Sequence, residues 1–306
     1  MIPLKYQKNS SKEKYYELII RSRDNDFIGE IDYKCWHYLR ISFKHLVCAW
    51  PEELEQLHFD LKKLPDYEQI KKEFKSIASS KENNYIVNTL FKRMPREAKL
   101  MIYEQTEQNV CPYCNRNFIE NLKVAKNKKV KKNVGTFELD HFYSKDEFPM
   151  LAVSFYNLIP VCGACNRIKS NTAFKVNPYL RKKIDDILFD YNILGSNYME
   201  DENDLEIKIS SSSKDALEDA QNLYLEEIYN CHKDIVQEII KKMQYYGSEY
   251  IKCMLEETGS LFKNEGELYR LLYGGYAEPD EFGKRPLSKF IKDIYQNTKN
   301  ALDGIN

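Results

Sequence analysis

The sequence contains no long apolar run, no internal repeat and no long low-complexity linker. A helix that crosses a bilayer needs an apolar run of about 18 residues or more, so we expect no membrane-spanning segment. The first residues, MIPLKYQKNSSKEKYY, lack the apolar core of a secretory signal. We therefore expect a cytoplasmic protein whose eight cysteines are mostly reduced and serve metal binding or burial rather than disulfides.

Net charge is also nearly absent, at -1 for 306 residues. Its distribution is uneven, because residues 111–182 contain 13 Lys and Arg against 5 Asp and Glu, a net charge of +8. The remainder of the chain carries -9. A basic segment within an acidic chain favours a local anionic partner rather than general adhesion.

The pattern of apolar residues divides the chain into three regions. Residues 1–110 show apolar positions at three- and four-residue spacing, which predicts helices, and the same pattern returns in 183–306. Residues 111–182 differ, with cysteine pairs, a lysine run and β-branched stretches. A short strand, LEIKI, is predicted at residues 205–209. We expect an α+β fold that is mostly α, with a small core between helical N- and C-terminal regions.

Two Cys-x2-Cys pairs form the strongest metal-binding signal. They are Cys111 with Cys114 and Cys162 with Cys165, separated by 47 residues. Each spacing lets one tight turn present two sulfur atoms, and two such turns complete a tetrahedral zinc site with no open position. We predict a structural Zn²⁺; the alternative is two unrelated pairs of buried cysteines.

Between the pairs lie two strand candidates and a helix start. TFELDH ends in Asp140 and His141, YNLIPV begins beside Asn157, and CNRIKSN carries Asn166. Strand, loop, strand and helix with these residues resemble the HNH (ββα-metal) nuclease family, over about residues 111–172. The resemblance implies a small ββα-metal nuclease core supported by the four-cysteine zinc site.

The chemistry of phosphodiester hydrolysis gives these residues roles. His141 titrates near neutral pH and is predicted to be the general base that activates water. Asp140 offers a hard oxygen ligand for Mg²⁺ or Mn²⁺, and Asn166, at the start of the helix, is predicted to supply a second ligand through its amide oxygen. By resemblance, Asn157 ties down the loop after His141 through backbone hydrogen bonds.

Basic residues are candidates for substrate binding. Lys169 lies three residues after Asn166 on the same helix face and is expected, with Arg167, to contact phosphate. Six lysines fall in residues 123–132, where a hairpin is expected. Four of them, Lys128, Lys129, Lys131 and Lys132, are predicted to bind the nucleic-acid backbone, although a solvated hairpin tip would carry the same residues.

The function implied by the resemblance is a metal-dependent HNH endonuclease that hydrolyses nucleic acid, with DNA the expected substrate. The layout is similar to that of stand-alone bacterial anti-phage nucleases of the Septu and retron-associated type, which implies an ATPase partner of the ABC/SMC kind. One alternative is a non-catalytic zinc module that binds nucleic acid or protein. Another is a restriction or junction-resolving enzyme that acts alone.

Overall fold

In a computed structural model, the described residues are 2–5, 11–21, 23, 25–76, 86–127, 130–181, 187–246, 253–254, 256–257, 262 and 264–304. They form an α+β fold that is mostly α, with three small antiparallel sheets, as the sequence predicts. Across these ranges, none of the helices combines the length and the apolar character that a bilayer crossing requires.

The chain forms two compact units. The core unit comprises Leu4–Gln108 and Asn121–Leu180, and the C-terminal unit comprises Met1–Pro3, Asn109–Glu120 and Arg181–Asn306. The division into three regions at residues 110 and 182 stays a prediction.

The described residues of the core unit form seven helices: α1 (Ser11–Ile20), α2 (Asn25–Lys34), α3 (Phe43–Cys48), α4 (Pro51–Lys63), α5 (Tyr67–Lys75), α6 (Arg96–Glu104) and α7 (Gly163–Lys169). Two π-helical turns, Cys35–Leu39 and Ile86–Phe91, lie between them. Local sequence explains the helix starts. The Ser42 hydroxyl accepts a hydrogen bond from the His45 amide at 3.1 Å, and Pro51 occupies the first position of α4, where its missing N–H costs nothing.

Where the structure describes the core unit, four strands form two hairpins. Strands β1 (Asn121–Asn127) and β2 (Val130–Gly135) pair antiparallel, so the predicted hairpin at the lysine run is confirmed. Strands β3 (Glu138–His141) and β4 (Leu158–Val161) also pair antiparallel, with His141 opposite Leu158. Because α7 begins directly after β4 and packs on β3, the core unit contains a ββα element.

The loop between β3 and β4 is buried by the N-terminal helices. The Tyr15 hydroxyl donates to the Val153 carbonyl at 3.0 Å, and the Ser154 hydroxyl donates to the Leu46 carbonyl at 2.9 Å. Both bonds are buried, so they fix this loop against α1 and α3.

The described part of the C-terminal unit includes a hairpin and five helices. The hairpin joins β5 (Leu188–Ile193) to β6 (Leu205–Ser210), which confirms the predicted strand LEIKI. The helices are α8 (Lys214–Asn222), α9 (Leu225–Tyr229), α10 (Lys233–Tyr245), α11 (Glu265–Tyr273) and α12 (Ser288–Asp303). Contacts of α12 with α10 and β5 form the centre of this unit.

Candidate active site and cysteine cluster

The first cysteine pair lies in a tight turn of the C-terminal unit. Asn115 donates its amide to the Cys111 carbonyl at 2.8 Å, and the Arg116 amide donates to the sulfur of Cys114 at 3.4 Å. Asn115 has φ 50°, a left-handed conformation that asparagine tolerates better than most residues. Its buried side chain donates to the Phe282 carbonyl at 2.9 Å, so the turn is held by the C-terminal unit.

The second pair lies where β4 meets α7. Cys162 caps the helix, because its sulfur accepts a hydrogen bond from the Cys165 amide at 3.5 Å. Gly163 follows, and a Cβ atom there would lie 2.8 Å from a carboxylate oxygen of Glu138. A side chain at position 163 would therefore displace this carboxylate from the start of α7.

All four cysteines of the two pairs are buried, and their sulfur atoms lie within 4.8 Å of one another. In a tetrahedral zinc–thiolate site, Zn–S bonds of about 2.3 Å place the sulfur atoms roughly 3.8 Å apart. The predicted convergence of the two pairs is confirmed, and this donor set fits a zinc ion. Four protein ligands would leave no open position, which is typical of a structural site.

His141, at the end of β3, is buried with a defined hydrogen bond. Its Nε2 atom lies 2.9 Å from the Ala152 carbonyl, and a carbonyl only accepts, so Nε2 carries the proton and Nδ1 keeps a lone pair. Burial, assisted by Lys145 and Lys169, lowers the pKa of His141 to about 3, against the opposing effect of the Ala152 bond. The imidazole is therefore neutral at pH 7, with Nδ1 as its acceptor atom.

Asp140 forms a buried ion pair with Lys169. The two side chains are 4% and 1% exposed, and the Lys169 ammonium lies 3.1 Å from each carboxylate oxygen. The same ammonium donates to the His141 carbonyl at 3.0 Å. Lys169 thus orients Asp140 and anchors the strand end that carries His141. Its predicted contact with phosphate stays a prediction.

Asn157 closes the loop that follows His141. Its amide oxygen accepts from the Tyr143 amide at 2.7 Å, and its amide nitrogen donates to the carbonyls of Tyr143 and Leu151 at 3.1 and 2.9 Å. Asn157 is fully buried, so each of these bonds would be costly to lose. The same loop supplies the Ala152 carbonyl. These bonds therefore help to hold the hydrogen-bond acceptor of His141 in position.

Asn166, in the first turn of α7, is oriented by Glu138. The Asn166 amide nitrogen donates to a Glu138 carboxylate oxygen at 2.7 Å, so the amide oxygen points away from that carboxylate. Glu138 also lies 4.0 Å from the guanidinium of Arg167, which is exposed. Sequence reasoning missed Glu138. Its position two residues before Asp140 places both side chains on one face of β3, and this was the available signal.

A cavity of about 220 Å³ brings the predicted catalytic side chains together. Asp140, His141 and Asn166 all line it, whereas Asn157 and Lys169 do not. Lys145 also lines this cavity and was missed, because one lysine in a polar loop carries no pattern. The cavity therefore combines a carboxylate, an amide, a neutral imidazole and an ammonium group.

The side chains of the four hairpin lysines that are predicted to bind nucleic acid lie outside the part of the chain that the structure describes. Lys128 and Lys129 lie outside the described residues. Lys131 and Lys132 lie in β2, opposite Ala125 and Val124, and their side chains lie outside the described part. Their role in binding nucleic acid stays a prediction.

Removing one partner of the Asp140–Lys169 pair should destabilise the protein strongly. Lys169→Met leaves a buried carboxylate without its cation, so the free energy of unfolding should fall by about 3–5 kcal/mol. Combining it with Asp140→Asn should restore most of this loss, as measured by urea denaturation in EDTA. Lys99→Met, at a half-buried lysine of α6, is the control and should change stability by less than about 1 kcal/mol. A loss that small for Lys169→Met would show that the pair contributes little.

The described site is thus a ββα element with a closed four-cysteine cluster and an adjacent polar cavity. No family model matches the chain, and no solved structure matches it. Among curated proteins, the chain is 31% identical over 87 residues to the Septu protein PtuB of Bacillus thuringiensis. The match covers 28% of this chain and 29% of that protein, so the similarity spans less than a third of either.

Proposed function

We propose that this protein is a metal-dependent HNH endonuclease that hydrolyses phosphodiester bonds in nucleic acid, with DNA the expected substrate. One observation carries the proposal: Asp140, His141 and Asn166 line a single cavity. A neutral imidazole with a free Nδ1 lone pair, a carboxylate and an amide are the groups that water activation and cation binding require.

In the proposed reaction, His141 accepts a proton from the attacking water through Nδ1, while Nε2 keeps its bond to the Ala152 carbonyl. Asp140 and Asn166 would hold Mg²⁺ or Mn²⁺ through oxygen atoms, the ligands that such hard cations prefer. When bound, the ion supplies positive charge that stabilises the phosphate and the leaving oxygen in the transition state. Lys169 keeps the Asp140 carboxylate in one orientation.

Phosphate binding in this proposal falls to basic side chains. Lys145 lines the cavity directly, and Arg167 is exposed on α7. The sequence predictions for Lys169 and for Lys128, Lys129, Lys131 and Lys132 belong to the same proposal. An ammonium or guanidinium group at these places would position the nucleic-acid backbone without reading its sequence.

A role in bacterial anti-phage defence extends the proposal. The similarity to a Septu protein supports it, together with the sequence resemblance to defence nucleases. We accordingly propose an ATPase of the ABC/SMC kind as a partner. The second candidate function is a non-catalytic zinc module, favoured by the four-cysteine cluster, which would need neither Asp140 nor His141.

The test is a cleavage assay with purified protein on duplex DNA, single-stranded DNA and RNA. Each substrate is incubated with Mg²⁺, Mn²⁺ or EDTA, with and without a co-expressed ATPase partner and ATP. We expect cleavage with Mg²⁺ or Mn²⁺ and none with EDTA, while measured zinc content stays unchanged. Nucleic-acid binding without cleavage in every arm would contradict the nuclease and favour the zinc module.

A further inference from the structure

A second, larger cleft in the core unit adjoins the catalytic cavity. It has a volume of about 1040 Å³, which is ample for a nucleotide. Ser144 and Asn171 line both spaces, and Phe142 and Tyr143, which follow His141 directly, line the cleft. A strand with one phosphate in the cavity would therefore place a neighbouring nucleotide at this cleft.

Seven side chains with aromatic rings, including His58, line the cleft. His58 stacks on Tyr143 with ring centroids 4.3 Å apart and an interplanar angle of 26°, and its edge meets Phe148 at 4.6 Å. Phe174 contributes a further buried ring. Phe59 on α4 also lines the cleft and is 53% exposed, a large fraction for a phenylalanine. The cleft thus offers rings to a planar ligand.

Charged groups in the cleft favour base edges over phosphates. Four exposed carboxylates, those of Glu52, Glu55, Glu68 and Glu147, line it, with Lys62 and Lys175 as the cations. Carboxylates repel phosphate but accept hydrogen bonds from the exocyclic amino groups of adenine, cytosine and guanine. The cleft therefore combines a surface for base faces with acceptors for base edges.

We propose that this cleft binds an unpaired nucleobase of the strand that is cut in the catalytic cavity, which rests on the proposed function. In a duplex, both faces of each base are covered by neighbouring bases, whereas an unpaired base can stack on an aromatic ring. The substrate class is therefore single-stranded or locally unpaired nucleic acid, DNA or RNA, since base stacking is common to both.

The test measures binding of fluorescein-labelled 12-nucleotide single strands of DNA and RNA, and of the matched DNA duplex, in EDTA. Phe59→Ala should weaken single-strand binding at least about fivefold, because one stacking surface is lost, and leave duplex binding unchanged. Phe59→Trp keeps a stacking surface and should bind single strands as the wild type does. Tyr33→Ala, at a tyrosine of α2 that is 67% exposed, is the matched control and should bind as wild type does. The DNA and RNA arms show which strand the cleft accepts.

Two results would overturn the nucleobase site. The first is that Phe59→Ala binds single strands as tightly as the wild type does. The second is that Phe59→Ala keeps single-strand binding but loses the wild type's binding to a seven-residue oligolysine peptide, which would assign the cleft to a basic protein partner. Because binding is measured without catalysis, these results leave the nuclease proposal standing if the wild type cleaves. Conversely, Phe59-dependent binding in a protein that never cleaves would support the base site and contradict the nuclease.

Discussion

Replacing His141 with alanine is expected to slow nucleic-acid cleavage by about 10²- to 10⁴-fold, the usual contribution of a general base. The reason is structural as well as chemical. His141 lines the cavity, and its Nδ1 is unprotonated because Nε2 donates to the Ala152 carbonyl. The measurement is single-turnover cleavage at saturating Mg²⁺, which separates the chemical step from substrate binding.

Binding and folding controls make the result specific. His141→Ala should bind labelled substrate in EDTA as the wild type does. Its ring packs against Phe91 with centroids 4.3 Å apart, so thermal unfolding must confirm that the variant is folded at the assay temperature. His45→Ala, at a histidine whose side chain is 53% exposed, is the matched substitution and should cleave normally. Full cleavage by folded His141→Ala would remove His141 from the reaction.

Cys165→Ala is expected to have the largest effect on stability. A structural zinc bound by four thiolates contributes about 10–16 kcal/mol of apparent binding free energy in small zinc domains at pH 7, and loss of one ligand forfeits much of it. We expect zinc content to fall from one ion per chain towards zero, with a decrease of several kcal/mol in the free energy of unfolding. Zinc is measured by mass spectrometry and stability by urea denaturation.

Another buried cysteine serves as the control for this experiment. Cys35 is also fully buried but lies outside the cluster, so Cys35→Ala should keep one zinc ion and lose only the packing of a thiol. A wild-type protein purified without zinc, or a Cys165→Ala variant that retains it, would be incompatible with the zinc assignment.

The sequence was sufficient for those parts of the site that depend on local spacing. Two Cys-x2-Cys pairs predicted the cluster, and the order of strand, loop, strand and helix predicted the ββα element, because tight turns and strand pairing follow short-range rules. The fold class followed from the same periodicity. The β6 strand was visible for the same reason, as a short alternating run.

Contacts that depend on depth in the fold were not predictable. Helical periodicity placed Lys169 on the same face as Asn166, but periodicity reports direction and not burial, so its pairing with Asp140 was missed. Glu138 acquires its contact with Asn166 only when α7 packs on β3. The aromatic cleft escaped detection because its rings come from α4, from α5 and from two loops far apart in sequence.

The partner of the His141 ring nitrogen is a main-chain oxygen, and this has a consequence for mutational scans. No side-chain replacement at position 152 removes that acceptor, and an alanine scan passes over the position because the residue is already alanine. What the fully buried site does restrict is bulk, since a larger group would push the loop away. Ala152→Leu should therefore impair the reaction through displacement of the backbone, although residue 152 contributes no functional group of its own.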